Sequence, residues 1–202
     1  MKSDDPSFAD HLQIDDVLPR MREVGALLEG HFRLSSGRHS DRYFQCARLL
    51  QYPGLALEVG RLLAEQFDEL AIDVVVSPAV GGVVLGQEVA RGLGRRHVFA
   101  ERRDDGFSVR RGFEILKGEN VLVVDDVLTR GTSFGEIGRT VNEHEATVIG
   151  LGVIVDRRET DVSIDVPVLS LVQMEVATYE PDACPLCERG VELESPGSRH
   201  AV

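Results

Sequence analysis

Three short apolar runs constrain this chain more than any other feature. "DVVVSP" (73–78), "NVLVVDD" (120–126) and "ATVIGLGVIVD" (146–156) show no polar alternation, so the strands they form must be covered on both faces. Between and after them lie segments with helical spacing, "VVLGQEVARGLG", stopped by Gly94, and "SFGEIGRTVNEHE" (133–145). Doubly buried strands that alternate with helices specify an α/β fold: a central, mostly parallel sheet flanked by helices and joined by right-handed crossovers. "HVFAER" (97–102) adds a strand, residues 104–119 leave room for a small hairpin, and "VSIDVPV" and "LSLVQM" (162–174) read as two further short extended pieces.

Upstream of this sheet the rhythm differs. "DDVLPRMREVGALLEG" (15–30) has apolar residues at Val17, Leu18, Met21, Val24, Leu27 and Leu28, which predicts an N-terminal helix. Asp15 or Asp16 would cap it, Pro19 would fall in its first turn and Gly30 would close it. Two extended segments around a Ser-Ser-Gly turn follow, and helical spacing resumes after Pro53.

The run Val121 to Ser133, "VLVVDDVLTRGTS", passes from four apolar residues through two aspartates into a hydroxyl-rich turn. In a parallel sheet, ligands collect outside the carboxyl ends of the strands. This turn offers successive backbone amides, the hydroxyls of Thr129, Thr132 and Ser133, a close approach at Gly131 and a helix start, which are the parts of a phosphate cradle. The nucleotide P-loop needs a lysine that has no counterpart here, so a phosphate monoester held by amides is the better fit. Adjacent aspartates on an extended strand face opposite ways; where the strand has ended and the backbone curves, both can reach one ligand. Carboxylates there suit the vicinal hydroxyls of a ribose, or Mg²⁺ held through them.

A chain of 202 residues, 43% of them hydrophobic, with no linker-like stretch, makes one domain. Its net charge of −12, without a basic block, reads as a solvated surface and argues against a nucleic-acid partner. No apolar stretch approaches the ~20 residues needed to cross a bilayer. The polar, acidic start and three sparse cysteines lead us to expect a cytoplasmic protein. "CPLC", Cys184 to Cys187, has the spacing of half a zinc site; the sequence places no second pair or histidine beside it. A zinc role would then need a pair from a second subunit, so reduced structural thiols are the expectation.

The 121–133 pattern resembles the signature of the type I phosphoribosyltransferases, which bind 5-phosphoribosyl-1-diphosphate. The likeness extends over roughly residues 21–190. "LLEGHFRLSSGRHSDRYFQ" is similar to the N-terminal hairpin of the orotate phosphoribosyltransferases, "SPAVGGVVLG" to their pyrophosphate loop, "FAERRDDGFSVRRGF" to their mobile loop and "VIVDRRE" to the strand end carrying their orotate-binding arginine. The resemblance implies the type I phosphoribosyltransferase fold: a small hood of helix plus hairpin over about 1–50, an α/β core over 53–180, a mobile loop hairpin, and a C-terminal turn and tail over 181–202, whose last stretch, "ESPGSRHAV" (194–202), is by its composition expected to fray.

By the same resemblance, Asp125, Asp126, Val127, Leu128, Thr129, Arg130, Gly131, Thr132 and Ser133 would hold the ribosyl diphosphate. Thr129, Arg157, Tyr43 and Phe44 would hold orotate, the guanidinium forking onto its carboxylate. Asp126, Arg102 and Arg103 are the expected catalytic residues, with Mg²⁺ carried mainly by the substrate and no direct side-chain metal ligands. The implied reaction forms orotidine 5′-phosphate and diphosphate in de novo pyrimidine synthesis, in a homodimer. A purine or uracil phosphoribosyltransferase, or a non-catalytic nucleotide-sensing regulator, are the alternatives. Ser35, Gly81 and Glu101 depart from the family pattern where cations are common, leaving Arg102, Arg103, Arg110, Arg111 and Lys117 as cations for the diphosphate.

Overall fold

The computed structural model describes residues 11–158 and 162–196. Its six-stranded sheet has the order β5-β4-β3-β6-β7-β8. The strands are β3 (Val74–Pro78), β4 (Arg96–Arg103), β5 (Gly106–Val109), β6 (Asn120–Leu128), β7 (Thr147–Asp156) and β8 (Val168–Gln173). All neighbours are parallel except β5, which folds back on β4 at the edge. Helices α3 (Pro53–Glu65) and α4 (Val83–Leu93) and helix α5 (Thr132–Glu143) complete the crossover units. Every residue of β3 is buried, as its unbroken apolar run requires. One core cluster gathers Leu55, Leu63, Leu85, Val89, Leu122 and Val124, and a second gathers Val121, Val123, Ile137, Val141 and Val153. Alternate residues of β6 thus feed opposite faces, the signature of a sheet covered on both sides.

A second, three-stranded sheet of order β1-β2-β9 is built from β1 (Leu27–Arg33), β2 (His39–Phe44) and β9 (Thr178–Tyr179). Helix α1 (Ile14–Glu23) and the short α2 (Ala47–Leu50) flank it in sequence, and α6 (Pro185–Glu188) follows β9. The β1–β2 turn is the expected one: Gly37 sits at φ +85 and donates to the Leu34 carbonyl at 2.9 Å.

Three local expectations are corrected. The first helix starts after Gln13 rather than at an aspartate cap, with Asp16 accepting the Gln13 amide at 3.1 Å, so Pro19 lies inside it. It ends at Glu23, because Gly25 turns left-handed (φ +68) and donates to Arg22 O at 3.1 Å while Ala26 donates to Met21 O at 2.7 Å. That paired closure releases Leu27 and Leu28 into β1 long before Gly30. Residues 162–167 form no strand; Pro167 has no amide to give a ladder, and β8 begins only at Val168. The expected frayed tail starts at Glu194, yet that residue pairs with β1: Arg33 N donates to Glu194 O and Glu194 N to His31 O, each at 2.8 Å. Residues 197–202 lie outside the described residues. No helix among the described residues is long and apolar enough to cross a membrane.

Candidate active site

Because β3 leads to β4 on one side and is paired with β6 on the other, the sheet reverses direction between β3 and β6. Ligands bind at such switch points, outside the strands' carboxyl ends. Two loops meet there. The segment after β3, Ala79 to Gly82, runs into α4, and the segment after β6, Thr129 to Gly131, runs into α5.

The second loop forms a cradle. Gly131 adopts φ +70 as the residue before α5, a conformation costly for a side chain, and it turns the first amides of the helix outward. A cavity at this point is lined by Asp125, Val127, Leu128, Thr129, Gly131, Thr132 and Ser133, with Phe134 and Ile137 as apolar wall. Seven of the nine residues expected from the motif therefore surround one space. Arg130 is exposed and lies outside the lining, and Asp126 faces elsewhere. Phe134, and Ile164, whose side chain lies by Gly131, also border this loop, and as apolar residues they carry no signal of a site in the sequence.

Both aspartates lie within β6, whose pairing with β7 continues to Leu128 and Asp156. The condition that would have brought both acids onto one ligand, a strand already ended, is not met. Asp125 lines the cradle, whereas Asp126 meets the other loop: a Cβ on Gly81 would sit 3.2 Å from its Oδ2. Asp125 Oδ1 accepts the Asp126 amide at 2.8 Å, and Asp126 Oδ1 accepts the Val127 amide at 2.9 Å. Burial first, and then the adjacent Asp126 carboxylate, push the Asp125 carboxyl well above the usual range. Burial beside a second acid thus favours the neutral form of the Asp125 carboxyl.

On the Asp126 side stand two of the residues expected to hold the base. Arg157 follows β7 and its amide donates to Leu128 O at 3.0 Å, fixing it beside the cradle loop. The next residue, Arg158, is committed to buried Asp156 through Nη2 at 2.7 Å, which separates the roles of the two adjacent arginines. Tyr43 is half-buried; burial and then Asp126 raise its hydroxyl's pKa, while Arg157 pulls the other way. Both charges therefore act on one phenol. Phe44, the other half of the expected pair, points to the opposite face of β2 and is 8% exposed in the core. Cys46 lies buried nearby, its thiol held well above the usual value by burial and then by Asp126 and Asp125.

The hairpin of β4 and β5 turns at Asp104 and Asp105. Arg102 pairs with Glu136 of α5 at 2.9 Å and stacks over Phe107, its carbon 4.3 Å from the ring centre. Glu101 holds Arg110 at 3.5 Å and also Arg111, and the Arg111 hydrogen bond, partly offset by desolvation and helped by its charge and those of Arg110 and Arg103, lowers the pKa of this carboxyl. Lys117 pairs with Glu145 at 2.6 Å. Of the four arginines from 102 to 111, Arg103 is the one that joins no ion pair among the described residues.

Residues 45–183 match the model of the phosphoribosyl transferase domain, which covers both loops, the cradle and the hairpin. The chain belongs to the phosphoribosyltransferase family. Within it, the likeness is to orotate phosphoribosyltransferases. That of Caldanaerobacter subterraneus subsp. tengcongensis is 47% identical over 188 residues, 93% of this chain and 99% of the relative. That of Caldicellulosiruptor saccharolyticus is 49% identical over 88% of this chain and 93% of its own. Among solved structures, the orotate phosphoribosyltransferase of Aeropyrum pernix superposes with a TM-score of 0.66 at 28% identity, covering 78% of this chain and 93% of that one. For a phosphoribosyltransferase, Glu101 is then an acid that gathers the hairpin's own arginines, and Gly81 leaves room for the Asp126 carboxylate where a side chain would crowd it.

Proposed function

We propose that this phosphoribosyltransferase joins orotate to the phosphoribosyl group of 5-phosphoribosyl-1-diphosphate, giving orotidine 5′-phosphate and diphosphate, as in de novo pyrimidine synthesis. The observation that supports the reading is that Arg157 and Asp126 both act on Tyr43 next to the cavity lined by Thr129 and Gly131 to Ser133. A guanidinium at the base position suits a substrate bearing a carboxylate and has little use with a purine or uracil.

The amides at the start of α5, with the Thr129, Thr132 and Ser133 hydroxyls, take the 5′-phosphate. Asp125, which lines the cradle, accepts from the ribose hydroxyls, while Asp126, on the opposite face of β6, stands toward the Gly81 loop. The orotate ring nitrogen loses its proton, which the released diphosphate takes up through solvent, and forms a bond to C1′ as the C1′–O bond to diphosphate breaks, the leaving group departing with the electron pair. No protein nucleophile is needed. Catalysis comes from holding the two reactants in line and from positive charge at the departing diphosphate. Asp126 is the carboxylate nearest the reacting sugar, and Arg103, with Arg102 once released from Glu136, brings cations to the leaving group.

Mg²⁺ fits this donor set as a substrate-borne ion. Among the described residues no group of three carboxylates converges to cage it, and a hard cation that keeps its waters can ride on phosphate and ribose oxygens. It would offset the charge of the diphosphate when bound. The same reading includes a homodimer in which the β4–β5 hairpin closes the neighbouring subunit's site, and a cytoplasmic location. The test is turnover with Mg²⁺, the ribosyl diphosphate and one base at a time, followed by ultraviolet absorbance. Consumption of orotate alone supports the proposal; turnover of hypoxanthine or uracil, or of no base, overturns it.

A further inference from the structure

Away from the cradle, four potential metal ligands meet under the three-stranded sheet. His31 Nε2 lies 3.0 Å from His39 Nδ1 and 3.5 Å from Cys184 Sγ. Cys187 Sγ lies 3.8 Å from His31 Nε2 and 3.4 Å from His39 Nδ1. All four ligand atoms fall within 4.8 Å of one another. A tetrahedral zinc with ordinary bond lengths would set its nitrogen–nitrogen, nitrogen–sulfur and sulfur–sulfur edges at roughly 3.4, 3.6 and 3.8 Å. The three nitrogen–sulfur spacings, 3.4, 3.5 and 3.8 Å, straddle that value, and the nitrogen–nitrogen spacing of 3.0 Å would open by a few tenths of an ångström on binding.

Local structure explains how the ligands come together. In the β1–β2 register Arg33 faces His39 and Phe32 faces Ser40, and the register shifts between Glu29 and Phe32, so His31 sits at a bulge beside these pairs with its ring against that of His39. Cys184 and Cys187 bracket the first turn of α6, which is docked on β1 through Glu194. His31, His39 and Cys184 are 1%, 4% and 1% exposed, while Cys187 is exposed and leaves an entry path. The remaining nitrogen of His31, Nδ1, lies 2.8 Å from the Val191 carbonyl. Donation to that oxygen fixes the tautomer with Nε2 as a lone-pair ligand, the outer contact typical of metal-bound histidine.

We propose that His31, His39, Cys184 and Cys187 form a closed structural zinc site that fastens the C-terminal segment to the hood. Two thiolates with two imidazoles in a tetrahedral array favour zinc over the hard cations, and four protein ligands leave no open position for chemistry. The site is complete within one chain, so the sequence expectation that a second subunit would have to supply the missing pair is corrected. It is independent of orotate turnover.

The decisive measurement is the metal content of the full-length protein purified without chelator, with an affinity-tag-free chain to avoid carried metal. One zinc per chain is expected, and replacement by Co²⁺ should give the intense visible bands of a tetrahedral ion with thiolate charge transfer. Cys187→Ser and His39→Gln should each lower zinc retention in a competing chromophoric chelator at least tenfold, and the double variant Cys184→Ser/Cys187→Ser should bring content below about a tenth per chain. Chelation of the wild type should lower its Tm, and added Zn²⁺ should restore it. A wild-type protein that carries no zinc and takes up none from micromolar Zn²⁺, or an octahedral Co²⁺ spectrum, overturns the proposal. So does a content unchanged in the double variant. The wild-type measurements stand even if a variant fails to fold.

Discussion

The end of the six-stranded sheet and the three-stranded hood solve different problems. At the sheet end, one contiguous stretch, Asp125 to Ser133, supplies most of the lining, and the strain of the site is electrostatic: a buried carboxyl beside another acid. In the hood, β1, β2, β9 and α6 come from chain positions some 150 residues apart, as the His31 to Cys184 approach shows. The cradle is built where the chain is local, and the hood's cohesion where it is not. The contrast teaches that the two regions should fail differently, one in turnover and the other in stability.

The largest expected effect is at the sheet end. Asp126→Asn should lower kcat/KM by about 10²–10³-fold, the loss seen when one group stabilising developing charge is removed, with a Tm close to wild type. A large fall in Tm alongside would blur the contrast. The hood counterpart is Leu186→Ala, which removes a side chain only 6% exposed. It should cost about 2–5 kcal/mol, read from urea midpoints, with kcat of the folded enzyme preserved. Loss of kcat in a fully folded sample would merge the two regions.

Arg157→Ala should raise KM for orotate roughly 30-fold or more, equivalent to about 2 kcal/mol for a truncated charge contact, and leave KM for the ribosyl donor nearly alone. Equal changes for both substrates would remove Arg157 from the base pocket. Asp125→Asn sharpens the comparison from the other side. It relieves a carboxyl whose pKa is raised by burial, so the free protein should gain about 1 kcal/mol, or about 2–4 °C in Tm, while donor affinity falls. A less stable free variant would contradict a burial penalty at Asp125.

The smallest effect concerns His97 of β4, which lies 2.8 Å from Ser77 Oγ and below the close approach of Gly86. Burial lowers its pKa from 6.5 to about 4. Between those values the unfolded chain binds the extra proton, so this residue contributes stability that is present at neutral pH and is lost as pH falls from 6.5 towards 4. His97→Gln should flatten that limb of the stability profile measured by urea unfolding. Parallel wild-type and variant profiles would assign the acid limb to other groups.

What the chain's letters determined by themselves was the parallel sheet, the cradle after β6 and the β1–β2 turn. Each rests on short-range rules, an unbroken apolar run, a glycine that must turn, a helix start with free amides, and these act within a dozen residues. Helix α1 ends sooner than the helical spacing of Leu27 and Leu28 suggests, because the closure at Gly25 sends them into a strand. Tertiary structure decided that β6 runs on past Asp126 and so keeps the two aspartates on opposite faces, buried Phe44 while leaving Tyr43 by the site, and brought His31 and His39 to the "CPLC" pair. Those outcomes depend on which face each strand buries and on what packs across it, and a one-dimensional string carries no record of contacts between residues that only folding makes neighbours.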